Sequence, residues 1–108
     1  MESTASKLNR MASFYRPETY RDPDGQMIHD YVLQFTVAAH VHYLRGSEAV
    51  MQARLQSKSP AIITVRRSVQ AREITSEWQV KVDDRTFEIR EDPRPDQARR
   101  TLAMLAEA

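Results

Sequence analysis

The sequence predicts a small, mainly β protein, an antiparallel β-barrel or sandwich with one short helix inserted between the second and third strands. Segments rich in β-branched and aromatic residues recur along the chain, short turn-forming clusters separate them, and one segment has the composition of a helix. The 108 residues suffice for one modest hydrophobic core. We therefore expect a single domain over residues 8–108, preceded by a mobile tail over residues 1–7.

The first half of the chain contains a strand, a reversal and a long strand. Residues 8–15 form the first predicted strand. Pro17 and then the cluster Asp22-Pro23-Asp24-Gly25 have the strongest turn chemistry in the sequence. Residues 28–44 are rich in Val, Tyr, Phe, Thr and His, and the last eight alternate with period two, which predicts a half-buried strand. This segment exceeds the usual strand length, so we expect a bulge or break near Gln34.

A short helix is predicted after the long strand. Arg45-Gly46 ends the strand, Ser47 is suited to cap a helix, and helix-forming residues follow over 49–56. Met51 and Leu55, four residues apart, form a narrow apolar stripe. A stripe of this width indicates a helix that lies on a surface or against a partner.

The second half contains three further strands and an ambiguous end. Residues 61–69 alternate as a strand with one solvated face, and residues 78–82 and 86–90 form a hairpin around Asp83-Asp84-Arg85. The last segment, 98–106, favours a helix by propensity, although Leu102 and Met104 also fit the alternation of a strand.

Composition excludes several classes of protein. The chain has no cysteine, so disulfides, thiolate metal sites and cysteine nucleophiles are ruled out. The longest uncharged apolar stretch is far shorter than the ~20 residues of a membrane helix, and we expect no membrane association. Sixteen basic and 15 acidic side chains are spread evenly, so no one-sided basic face is visible. Thirteen of the basic residues are Arg, which is typical of protein interfaces and equally of a GC-rich genome.

Metal and catalytic signatures are weak. His40 and His42 would point to the same side of a strand, but a metal site needs a further ligand from His29 or a carboxylate. Ser47 lacks the strand–turn–helix setting of an activated nucleophile. The acids of the late turns are expected to be solvated, and two glycines are too few for a phosphate-binding loop. We expect neither enzymatic activity, nor a bound metal or cofactor.

Several motifs in combination resemble those of the phage head-tail joining proteins, also called head-closure, head-completion or stopper proteins. The resemblance spans residues 8–107 and rests on the Asp-Pro-Asp-Gly turn, Arg45-Gly46-Ser47-Glu48 after the long strand, Ile62-Ile63-Thr64-Val65-Arg66, Val80-Lys81-Val82, Phe87-Glu88-Ile89, Glu91-Asp92-Pro93 and a final strand containing Leu102. The chain departs from the family at the late hairpin, where Asp84 replaces a common Gly. It departs again in the second strand, where Tyr31 or Phe35 takes the place of a Trp. Members of the family end in a strand, so the resemblance predicts that the last segment of this chain is also a strand.

The resemblance implies a structural virion protein, made in the bacterial host cytoplasm and located at the head-tail interface of a phage, prophage or gene transfer agent. Its subunits would form a ring of six or twelve below the portal or adaptor protein, seal the DNA-filled head, and dock a tail terminator or tail tube protein. DNA would pass through the channel without sequence-specific binding.

The resemblance also implies where the subunit contacts lie. The segment after the long strand would line the channel or touch the neighbouring subunit; its candidate residues are Gly46, Ser47, Glu48, Val50, Met51, Arg54, Leu55 and Lys58. The residues themselves, apart from the resemblance, add Arg66, Arg67, Trp78, Arg99 and Arg100 as interface candidates. For Trp78, which shares a strand face with Val80 and Val82, a place in the core is the open alternative. Two other functions stay open: a nucleic-acid-binding barrel with Arg66, Arg67, Arg72 and Arg90 as its cationic face, and a general protein-interaction barrel.

Overall fold

The computed structural model of the chain describes residues 8–44 and 59–108. These residues form one antiparallel sheet of seven strands: β1 Arg10–Arg21, β2 Met27–Tyr43, β3 Pro60–Arg66, β4 Gln79–Val82, β5 Arg85–Ile89, β6 Arg94–Pro95 and β7 Thr101–Glu107. One turn of 3-10 helix, Ala71–Glu73, lies between β3 and β4. The expectation of a mainly antiparallel β fold is confirmed. The predicted helix over 49–56 lies outside the described residues.

The strands pair in the order β3-β2-β1-β4-β5-β7-β6, and β3 also pairs with β7. That additional pairing runs from Pro60↔Glu107 to Arg66↔Thr101 and returns the sheet to its own starting edge. The strands therefore form a closed, barrel-like ring, which we call the body. Inside it lie the alternate side chains of each strand, and the largest of those that are fully buried are Phe14, Phe87, Ile63, Met104, Val65 and Val80.

The first strand is longer than predicted. β1 continues through Pro17 to Arg21, although proline cannot donate a hydrogen bond to a neighbouring strand. The pairing of β1 with β4 ends at Tyr15, so beyond that residue one edge of β1 faces no described strand. A proline is tolerated at such an edge because the ladder requires no donor there.

The bulge expected near Gln34 is confirmed. Phe14 lies opposite Phe35, but the next residue, Tyr15, lies opposite Leu33, so Gln34 is the extra residue of β2. The Gln34 side-chain amide donates to the Val32 carbonyl oxygen at 2.9 Å. This bulge lies where the strands leave the body.

The two turns expected from the sequence are also present. Gly25, at φ +84°, reverses the chain between β1 and β2, and the Asp22 carboxylate accepts hydrogen bonds from the backbone N–H groups of Asp24 and Gln26. Asp83 and Asp84 join β4 to β5 with φ values of +50° and +64°, as a two-residue type I′ turn requires.

The end of the chain forms a strand, as the family resemblance implied and against its helix propensity. β7 lies between β3 on one side and β5 and β6 on the other, with Leu102, Met104 and Ala106 buried. Residues 98–100, expected within this strand, lie in the loop before it. The two-residue strand β6 was not predicted.

Beyond the body, β1 and β2 continue as a two-stranded ribbon, residues 16–33. β4 pairs with β1 only up to Tyr15, and β3 pairs with β2 only from Ala39 onward. Among the described strands, those of the ribbon therefore pair only with each other. Six residues of β1, Arg16 to Arg21, extend about 20 Å at ~3.3 Å per residue. The ribbon therefore projects as an arm, and its sheet faces are not covered by any described strand.

Candidate assembly surfaces

One face of the ribbon continues the outer surface of the body and is nearly uncharged. Opposite residues in an antiparallel pair share a face, so this outer face consists of Met11, Ser13, Tyr15, Pro17, Thr19 and Arg21 with their partners Ala38, Thr36, Leu33, Tyr31, His29 and Met27. Arg21 is the one formal charge among these twelve positions, in a chain that is 29% charged. Met11, Leu33, Met27 and Tyr31 are exposed by 60%, 52%, 49% and 43%. Depletion of charge with enrichment of Met and Tyr is the composition of an interface core.

The opposite face of the ribbon is different. It carries Arg16, Glu18 and Asp30 beside Tyr20, Ile28 and Val32, and Arg16 pairs with Glu18 at 2.8 Å. Charged side chains of this kind are typical of a surface that remains solvated. The two faces of the same ribbon thus differ in charge.

The two free edges of the ribbon also differ. The β1 edge carries Pro17, Arg16, Glu18 and Arg21, the residue types that protect an edge from further pairing. On the β2 side, residues 27–38 contain no proline and one charged residue, Asp30. The β2 edge is therefore the less protected of the two.

Arginines gather at the end of the body from which the ribbon emerges. The backbone N–H of Arg67 donates to the Arg100 carbonyl oxygen at 2.8 Å, and Arg66 lies opposite Thr101. These pairings bring together residues 66–72 and 94–100, which are distant in the sequence. The two segments contain six arginines: Arg66, Arg67, Arg72, Arg94, Arg99 and Arg100. Arg94 pairs with Glu91 at 3.6 Å, while the other five form no ion pair with a described residue. We call this surface the arginine end.

A groove of about 410 Å³ opens at the arginine end. Arg67, Arg72 and Arg99 line it together with one acid, Asp92. Its apolar lining comes from Ala71, Ile74, Pro93, Pro95 and Leu102. Asp92 is partly engaged within the chain, since its Oδ1 accepts a hydrogen bond from the Ser76 backbone at 2.8 Å. The groove therefore combines an apolar floor with an excess of positive charge.

Asp96 holds the loop that presents Arg99 and Arg100. Its Oδ1 accepts hydrogen bonds from the backbone N–H groups of Arg100 at 2.7 Å and Thr101 at 3.3 Å. Desolvation raises the pKa of Asp96, but these two hydrogen bonds, the Thr101 side chain and the Arg100 charge together outweigh it and lower the pKa below its usual value. The ionised carboxylate thus helps to define the loop, in which Arg99 has φ +56°.

The residues predicted as interface candidates fall in different places. Arg66, Arg99 and Arg100 are exposed at the arginine end, and Arg67 beside them is half-buried. Trp78 is only 4% exposed, and its ring lies 6.2 Å from that of Phe35. We therefore assign Trp78 to the core of the subunit. The channel candidates between residues 46 and 58, Gly46, Ser47, Glu48, Val50, Met51, Arg54, Leu55 and Lys58, lie outside the described residues.

The histidines do not assemble into one site. His40 and His42 lie on β2 within the body, opposite Thr64 and Ile62. His29 lies in the ribbon, about 35 Å farther along the same strand, and its Nδ1 is 3.1 Å from the Thr19 hydroxyl. His29 therefore cannot supply a third ligand to His40 and His42. Over residues 8–44 and 59–108, no three His, Cys, Asp or Glu side chains are grouped as metal ligands.

The sequence contains a weak signal for the outer face, which the predictions from the sequence did not include. Between Met11 and Arg21, alternate positions from Met11 to Thr19 are uncharged, while Arg16 and Glu18 fall on the other set. The arginine end has no such signal, because its two halves are separated by about 25 residues and meet only through the pairing of β3 with β7.

Together, the closed sheet, the projecting ribbon and the arginine end define a small antiparallel β protein with two prominent surfaces outside its core. The model of the phage head completion protein family matches residues 4–108, and the chain belongs to that family. It is therefore a structural protein of a phage-type virion, in a family of particle components rather than of enzymes. No helix in the described part of the chain is long and apolar enough to span a membrane.

Solved structures of other proteins have the same fold, among them the following two. One is the solution structure of protein SF1141 from Shigella flexneri 2a, which is 19% identical with a TM-score of 0.70 over 96% of this chain and 95% of that one. The other is a chain from the virion of a native gene transfer agent particle, 22% identical with a TM-score of 0.63 over 92% of each chain. No curated protein sequence matches the chain.

Proposed function

We propose that this protein forms a ring below the portal or adaptor protein, where it seals the DNA-filled head and provides the docking surface for the tail. The observation that carries the proposal is the match to the head completion family over residues 4–108, nearly the whole chain. The likeness in fold to a chain from a gene transfer agent virion is consistent with it.

The form of the subunit supports this function. A chain of 108 residues has one core, and its channel would be formed between subunits rather than within one. A ring requires two different surfaces on each subunit, because each copy contacts the next in a head-to-tail manner. The ribbon and the arginine end are two such surfaces.

The segment between β2 and β3 is our candidate for the channel or an additional subunit contact. Its flanking residues lie close together, because the Leu44 N–H donates a hydrogen bond to the Pro60 carbonyl oxygen at 3.1 Å. Beside them, the Ser59 N–H donates to the Ala108 carbonyl oxygen at 2.9 Å. Both flanks lie at the end of the body opposite the ribbon, since β2 runs from the ribbon toward Tyr43. The segment is thus attached where it could reach a different neighbour from the one the ribbon reaches.

The proposal is tested by assembling particles in cells from which this protein alone has been removed. We expect heads that package DNA but lose it on purification and carry no tail, and we expect the purified protein to restore closure and tail attachment. Electron microscopy of completed particles should then show a ring of this protein between the portal and the tail. Stable, tailed particles formed in its absence would contradict the proposal.

The arginine end favours a second candidate function, binding to nucleic acid. Five arginines without a described ion-pair partner could neutralise phosphates, whereas Arg90, also predicted for such a face, pairs with Glu107 at 3.1 Å and Glu88 at 3.5 Å. Phosphate binding makes affinity fall with salt, with a logarithmic slope of about −0.9 per phosphate neutralised. A titration of the purified chain with duplex DNA at several salt concentrations distinguishes this function from protein assembly.

A further inference from the structure

We propose that the tip of the ribbon, Asp22-Pro23-Asp24, docks into the groove at the arginine end of a second copy of this chain. The inference rests on the ring proposed above and names the contact that would hold neighbouring subunits together. Three observations carry it: the chemistry of the groove, the chemistry of the tip, and the common end of the body at which both lie.

The groove suits a short acidic turn with an apolar side chain. Arg67, Arg72 and Arg99 line it, and arginine pairs with carboxylates through two parallel hydrogen bonds. Its apolar lining includes Ile74 and Leu102, against which an aliphatic ring can pack. DNA would use the arginines but would leave this apolar floor without a partner, so the lining favours a protein ligand.

The tip of the ribbon has the complementary chemistry. Asp24 is exposed, and its carboxylate forms no hydrogen bond or ion pair with a described residue. Asp22 uses Oδ1 to accept two backbone hydrogen bonds within the turn, and its Oδ2 has no described donor. Pro23 lies exposed between them. Within residues 16–33, four acids stand against two arginines, whereas the segments 66–73 and 92–100 together hold six arginines against three acids.

The position of the two surfaces fits a cyclic assembly. β3 ends at Arg66, next to Val65, which lies opposite Ala39. From Ala39, β2 leads back toward the ribbon, so the ribbon and the groove belong to the same end of the body. In a ring, neighbouring subunits meet at the same level along the axis through two different surfaces. A projection of about 20 Å allows the tip to reach a neighbour.

Charge reversal on each side tests the contact. The variants Asp24→Arg and Arg72→Glu/Arg99→Glu spare both the Asp22 turn hydrogen bonds and the core. We expect each to weaken self-association at least tenfold, measured by light scattering over a range of concentrations. A mixture of these two variants should recover most of the lost association, because each tip then meets a groove of opposite charge.

A matched control separates this contact from a general effect of charge. Glu77→Arg reverses an exposed charge that lies outside the groove, the tip and the outer face; it should leave self-association unchanged. Thermal unfolding of every variant monitors folding. If the purified wild-type chain is monomeric, the same variants are compared by their ability to complete particles that lack the protein. The rescue experiment then supplies Asp24→Arg and Arg72→Glu/Arg99→Glu together.

The outcomes distinguish the inference from the proposed function. If the wild-type protein forms rings, and neither Asp24→Arg nor Arg72→Glu/Arg99→Glu alone disrupts them, the tip does not occupy the groove. The proposed ring would then be retained, and only the docking contact would be rejected. Loss of duplex binding in Arg72→Glu/Arg99→Glu with unchanged assembly would assign the groove to nucleic acid and overturn the inference. If particles are completed without any of this protein, the proposed function itself fails.

Discussion

Strands β1 and β2 run through both the body and the ribbon, yet their side chains are buried in different ways in the two regions. In the body, Phe14 is fully buried and stacks on Phe35 with ring centroids 5.2 Å apart. A few residues away in the ribbon, Tyr31 and Leu33 are 43% and 52% exposed. The body satisfies its apolar residues within one chain, whereas the ribbon presents apolar residues that only another molecule can cover. Side chains of similar hydrophobicity therefore serve folding in one region and assembly in the other.

The largest expected effect is the loss of a core side chain of the body. Phe14→Ala should lower the free energy of unfolding by about 3–5 kcal/mol, because it removes a buried ring and leaves a cavity. Tyr31→Ala in the ribbon should change it by less than ~0.5 kcal/mol, because that ring is already partly solvated. Denaturant unfolding of both variants measures the contrast. Equal losses would mean that Tyr31 contributes as much to the stability of the folded subunit as Phe14 does.

The next effect concerns assembly rather than folding. Replacing both Tyr31 and Leu33 with Ser should weaken association with the neighbouring subunit by more than tenfold, because aromatic and aliphatic anchors dominate the affinity of interfaces. The double variant should still unfold with a wild-type midpoint. Glu18→Gln, on the charged face of the same ribbon, serves as the control for sedimentation measurements. Association that is as strong in the double variant as in this control would exclude the outer face from the contact.

The two turns allow a smaller comparison between the regions. Asp84→Gly should stabilise the body by about 0.5–1 kcal/mol, because glycine adopts the positive φ of a type I′ turn without strain. Gly25→Ala in the ribbon turn should destabilise the protein by about 1 kcal/mol: φ is +84°, although the space around a new Cβ is open. Thermal unfolding of the two variants measures whether each substitution raises or lowers the stability of the protein. An unchanged midpoint for Gly25→Ala would indicate that the ribbon opens before the body unfolds.

The smallest effect is a dependence on pH in the loop before β7. The pKa of Asp96 is lower in the folded protein than its usual value, so its contribution to stability is present above that usual value and is lost as the pH falls through the folded pKa. Asp96→Asn should therefore make stability less sensitive to acid. Asp24→Asn is the control, since its carboxylate has no described partner. Unfolding curves between neutral and strongly acidic pH measure the difference, and identical curves for wild type and Asp96→Asn would contradict it.

Much of the fold could be predicted because its signals are local. The turn at Asp22–Gly25, the bulge at Gln34 and the tight turn at Asp83-Asp84 each follow from the conformations that a few neighbouring residues allow, and each is confirmed. The final strand is different. Its helix propensity is overridden because β7 is paired on both sides and buries alternate side chains within the closed sheet.

The sequence by itself determined the mainly β fold, its principal turns and, through combined motifs, the family of the protein. The tertiary structure alone decided that β1 continues past Pro17 as a projecting ribbon, that Trp78 lies in the core, and that arginines from 66–72 and 94–100 share one surface. These properties depend on which strands become neighbours. Local patterns specify turns and strand faces, but pairing between distant strands arises only when the sheet closes and the whole core is buried together.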